Sequence, residues 1–82
     1  MTKIFVPLTD VRALYPGDRV KTCLDGSRPT SRWFTGVIQE AHWNGELKIL
    51  SIHRDDNHTG WWSYVDQSTI NNIFIETNSE WD

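Results

Sequence analysis

A chain of 82 residues with net charge −3 and 38% hydrophobic residues has room for one compact domain and no more. Aromatics at 12%, with five Trp, argue against a disordered tail, and a single Cys rules out an internal disulfide framework. The longest apolar runs, Ile4-Phe5-Val6 and Ile73-Phe74-Ile75, are far short of the ~20 residues of a membrane span, and Lys3 precedes too few apolar residues for an export signal. A core held by packing in a reducing, cytoplasmic setting is therefore expected, and Met1 fits a small intact gene product.

Taken in chain order, residues 9–14 offer one turn capped by Thr9 or Asp10, which Pro16-Gly17 ends. Residues 19–24 alternate, with Val20, Thr22 and Leu24 on one face of a first strand. Residues 25–31 read as a loop. Residues 33–41 read as a second strand with Phe34, Gly36 and Ile38 on one face and a bulge near Gln39-Glu40. Asn44-Gly45 is a hairpin signal, since both residues tolerate positive φ. The return strand at 46–53 has Leu47, Ile49 and Ile52 as its apolar set. A polar loop follows at 54–60; its Asn57-His58-Thr59 sequon reads as plain loop in a chain without an export signal. A fourth strand at 61–65, a capped turn at 66–69 and a fifth strand at 72–76 complete the series. The expected layout is one domain over 1–82: a core at 14–76, an extension at 1–13, and a tail at 77–82 whose Trp81 could fold back.

Charge is divided along the chain. Residues 1–32 carry six basic and three acidic side chains; residues 33–82 carry two basic and eight acidic. An acidic whole disfavours strong nonspecific DNA binding, which relies on Lys and Arg at phosphates. A local anion site built from Lys21, Arg28 and Arg32 stays open, against the plainer reading of solvated strand faces.

Five short strands with almost no helix fit a small closed or half-closed barrel. The order of pieces resembles SH3-like barrels, and among them the Tudor/Agenet type. The residues concerned are Pro16-Gly17-Asp18-Arg19-Val20, the Asp25-Gly26 loop, Phe34-Thr35-Gly36-Val37-Ile38, the Asn44-Gly45 turn, Asp55-Asp56 and the turn from Asp66. The resemblance implies an all-β, five-stranded SH3-like barrel with at most one short helical turn. Leu24 stands where methyl-lysine readers of this type carry an aromatic, so the resemblance implies the fold and not that activity.

Catalysis has little to build on. Cys23, His42, His53 and His58 could be drawn as a nucleophile set, but Cys23 has no activating neighbour in sequence. His53, Asp55, Asp56 and His58 are close together without a recognisable ligand spacing, so no metal and no cofactor are expected. The aromatic set carries more information. Trp61 and Trp62 are adjacent in a strand and must face opposite ways, so one of them stands outside the core. Exposed rings near arginines suit recognition, although a small barrel also uses Trp as a lid.

The expected function is a non-catalytic binding module, a small inhibitor or adaptor of the kind phages and mobile elements encode. It would engage a protein partner through Arg28, Arg32, Trp33, Trp43, Arg54, Trp61, Trp62 and Tyr64. An oligomeric protein that captures a nucleotide-like small ligand is the alternative, and a nucleic-acid-associated SH3-like domain the third reading. Arg28, Arg32, Trp33, Arg54 and Trp61 are expected to share one mouth of the barrel.

Overall fold

The alternating segments form strands in the computed structural model, which describes residues 2–56 and 61–78, with the backbone alone at Trp61. The strands are β1 (Lys3–Pro7), β2 (Arg19–Asp25), β3 (Arg28–Trp43), β4 (Lys48–Arg54), β5 (Trp61–Val65) and β6 (Ile73–Asn78); a 3-10 turn at Ile70–Asn72 precedes the last. They make one antiparallel sheet in the order β1-β6-β2-β3-β4-β5. The protein is all-β, and no helix among the described residues is long and apolar enough to cross a membrane. The expected sequon, His58 and Trp81 lie outside the described residues.

The sixth strand comes from the segment expected as an extension. Lys3–Pro7 pairs with β6 along its whole length, and Leu8, Val11 and Leu14 drop into the core behind it. Their spacing of three matches the tight turn at 10–13, closed by the Ala13 amide on the Asp10 carbonyl at 3.0 Å. The remaining core residues, among them Val20, Leu24, Phe34, Ile38, Leu50, Ile52, Val65 and Ile73, come from the strands.

Two hairpins turn as their chemistry dictates. Gly45 takes φ +82°, and the Asn44 amide closes the turn on the Leu47 carbonyl at 3.0 Å. The 25–31 segment is shorter than a loop: β3 begins at Arg28, and Gly26 at φ +61° makes the reversal. This turn reaches across to β5. The Gly26 amide donates to the Trp62 carbonyl at 3.1 Å, the Tyr64 amide donates to the Gly26 carbonyl at 2.9 Å, and buried Ser63 Oγ donates to the Leu24 carbonyl at 3.1 Å. One end of β2 is thereby tied to the far edge of the sheet, although no strand ladder closes it.

The bulge lies where expected, with the β3–β4 register shifting between Ile38 and Glu40. Facing on β4 differs from expectation. Lys48, Leu50 and Ile52 are buried, while Leu47 and Ile49 are only half-buried. The strand carries apolar residues at both parities, so alternation alone could not choose between them. Lys48 is accommodated because its stem packs inward while its ammonium lies over the Tyr15 ring, 5.6 Å from the centroid.

Candidate functional site

The exposed aromatics arise from strand alternation. Phe34, Gly36 and Ile38 of β3 face inward, which turns Trp33 and Thr35 outward. Trp33 is 44% exposed, and its ring lies tilted against Phe74 of β6 with centroids 5.5 Å apart. Trp33, Lys21, Phe34, Thr35, Asp55 and Asp56 line a shallow cleft of about 280 Å³. Behind it the Arg54 guanidinium stacks on the Phe34 ring at 4.0 Å and grips Asp56 with two hydrogen bonds, Nε to Oδ1 at 3.0 Å and Nη2 to Oδ2 at 2.5 Å. Trp33 and Arg54 are thus brought to the same neighbourhood. Arg54 is a packed, paired group there rather than one free to steer an anion.

Arg28 and Arg32 are exposed on β3, and among the described residues neither guanidinium meets a carboxylate. Arg28 sits opposite Asp25 at the turn that is clamped on β5, beside Trp62 and Tyr64. Trp62 stands outside the core at 40% exposure, and Ser63 and Val65 take the inward positions. Tyr64 is half-buried; its ring carbons lie 3.8 Å from where a side chain on Gly26 would begin. The side chain of Trp61 lies outside what the structure describes.

Trp43 does not join this group. It ends β3, ten residues beyond Trp33 and roughly 30 Å along the strand at about 3.3 Å per residue. There, 42% exposed, it walls a larger cleft of about 750 Å³ between the 10–13 turn, the Gly45 hairpin and the Asp66 turn. The candidate binding residues therefore occupy three places: the Trp33 face, which also holds Arg54 of the expected mouth, the Trp62 edge with Arg28, and the Trp43 cleft.

An ion network beside Trp33 was not legible in the sequence. Arg19 bonds Asp55 through Nη1 to Oδ1 at 3.1 Å and Nη2 to Oδ2 at 2.5 Å, and its Nε lies 3.3 Å from Glu76, which Lys3 also approaches at 3.8 Å. Thr35 Oγ1 donates to the same Asp55 carboxylate. Residues from five separate segments meet here, and no local spacing marks them. The Arg19 hydrogen bonds, then that of Thr35, hold the Asp55 carboxyl below the ordinary carboxylate range. A depressed folded pKa stabilises above the unfolded value of about 3.9, and that contribution is lost as pH falls through the folded pKa. Arg19→Met is expected to lower stability at pH 7 by about 0.5 kcal/mol, the size of a partly exposed pair, and to flatten the loss of stability below about pH 4. Thermal melts of both proteins from neutral to strongly acid pH check this; parallel curves would count against it.

Cys23 is buried, and its thiol points to Asn72 Oδ1 at 3.6 Å. A serine there keeps that donor, so Cys23→Ser is expected to cost at most about 1 kcal/mol, read from denaturant midpoints, and to leave binding unchanged. Selective loss of binding in a stable Cys23→Ser protein would contradict a structural role. Among the described residues no three His, Cys, Asp or Glu side chains converge as a metal-ligand set. Comparison of the chain with protein-family models, curated proteins and solved structures gives no match.

Proposed function

We propose that this chain is a non-catalytic binding module of the SH3-like barrel type that engages a protein partner through the Trp33 face. The observation that carries the reading is a half-exposed indole held ready by a second ring. Trp33 rests on Phe74, with Phe34 and the Arg54–Asp56 pair fixed behind it. A ring already seated on strands loses little conformational freedom when a partner covers it. The exposed Arg28 and Arg32 on the same strand add positive charge that draws in an acidic partner.

The barrel part of the reading is supported by the clamp between Gly26 and β5, which brings the end of β2 against the opposite edge strand. The non-catalytic part is supported by Cys23, whose thiol is buried against Asn72 rather than presented at the surface. The test is comparison of wild-type and Trp33→Ala proteins as immobilised baits, followed by dissociation constants with the purified partner and calorimetry against a nucleotide panel. Partner binding that depends on Trp33 supports the reading. Saturable nucleotide binding instead moves the chain to the class of small-ligand binders.

A further inference from the structure

We propose that the cleft at the opposite end of β3 is a second docking site, which takes a basic peptide segment and seats a lysine or arginine side chain on the Trp43 ring. At about 750 Å³ it is large enough for one or two side chains. Its wall is an indole that the fold leaves 42% exposed, although Trp43 shares the facing of Ala41 and buried Lys48. A cation over an indole face is attracted by the ring's quadrupole, more strongly as water is removed.

Charge selects the occupant. The cleft is lined by Asp10, Glu46 and Asp66 against one cation, Arg12. Arg12 is already taken up by Asp10, with Nε to Oδ1 and Nη2 to Oδ2 both at 3.2 Å. Glu46 and Asp66 remain beside the ring with their charge uncompensated among the described residues. The Asp66 carboxylate is also held in place. Its Oδ1 accepts from the Ser68 amide at 2.9 Å, Ser68 Oγ at 2.6 Å and the Thr69 amide at 3.1 Å, which leaves Oδ2 for a ligand. These bonds keep the group ionised into acid. An aromatic wall in a cleft that also carries the held Asp66 carboxylate and the exposed Glu46 complements a guanidinium or ammonium at the end of an aliphatic stem. An acidic or purely apolar segment would leave the carboxylates uncompensated.

This inference does not rest on the Trp33 face, and its test separates the two. A fluorescently labelled oligo-arginine peptide is titrated into the whole protein, and anisotropy is read at low and physiological salt. Wild type is expected to bind, with Trp43→Ala and Glu46→Gln each weakening it about tenfold. Trp33→Ala is expected to bind like wild type, as is Glu40→Gln, an equal charge change outside the cleft. Should Trp43→Ala fold poorly, Trp43→Phe and the exposed Glu46 carry the test alone. Equal weakening by Glu46→Gln and Glu40→Gln, or binding indifferent to Trp43 and Glu46, would reduce the effect to general attraction to an acidic protein and overturn the proposal. Equal affinity for oligo-glutamate would overturn it too, as would Glu46-dependent self-association without peptide binding.

Discussion

Gly36→Val is expected to leave the protein without a cooperative unfolding transition, and Gly36→Ala to cost about 3 kcal/mol, the upper end of what overpacking usually costs. Gly36 lies in β3 between Val20 of β2 and Arg54 of β4, paired on both sides. A Cβ at this position would stand 2.6 Å from the His53 carbonyl oxygen, 2.7 Å from Ile52 Cγ2 and 3.1 Å from Arg54 Cα. Two of these atoms belong to the β4 backbone, so no rotamer change makes room. The sheet itself must open between β3 and β4. A protein of this size has total stability of only about 4–12 kcal/mol, so a further branched methyl pair has little to draw on. Trimming the one flexible neighbour discriminates the cause: Ile52→Ala should not rescue Gly36→Ala, because the His53 carbonyl remains. Urea midpoints and near-UV circular dichroism read the outcome. A Gly36→Val protein with the wild-type midpoint would show that the two strands do not approach here as described.

The same close approach builds the candidate site. Because Gly36 lets β4 lie tight on β3, Arg54 reaches the Phe34 ring two residues along, and Phe34 in turn adjoins Trp33. The glycine was readable from Phe34-Thr35-Gly36-Val37-Ile38, where a residue without a side chain interrupts an inward apolar row. Its consequence for Arg54 was not, since it depends on which residue of β4 stands opposite. The hairpin at Asn44-Gly45, the bulge beside Gln39 and the Asp66 turn were legible because each is set by neighbours within a few residues. What failed to show were pairings set by distant segments. Ile4-Phe5-Val6 looks like a stray apolar tripeptide until β6 lies beside it. Arg19 looks like any strand charge until Asp55 and Glu76 converge on it. The eight candidate binding residues were chosen by type, aromatic or basic, and type says nothing about which end of a sixteen-residue strand they occupy. Trp33 and Trp43 share β3 and face different clefts for that reason.

Trp33→Ala is expected to weaken partner binding by at least about 2 kcal/mol, roughly thirtyfold or more in dissociation constant, while the protein stays folded. Two features of the ring set this balance. With 44% of the residue exposed, much of its surface is still available for a partner to bury. Its intramolecular contact is a tilted pairing with Phe74, worth about 1 kcal/mol, so the alanine protein should melt lower but cooperatively. Arg28→Ala should act differently, slowing association and flattening its salt dependence while dissociation changes little, because an exposed guanidinium away from the buried contact acts only by steering encounter. Trp62→Ala supplies the internal contrast. Trp62 is equally exposed but lies on edge strand β5 beside the Gly26 turn. If Trp62→Ala, and not Trp33→Ala, removes binding, the partner sits on the β5 edge and the Phe74-backed ring is packing. If Trp33→Ala unfolds the protein, the ring serves as a lid on the sheet. Surface plasmon resonance on the three alanine proteins, with circular dichroism to show that each is folded, separates these results, since only a partner seated on the Phe74-backed ring makes Trp33→Ala raise the dissociation rate while Arg28→Ala lowers the association rate.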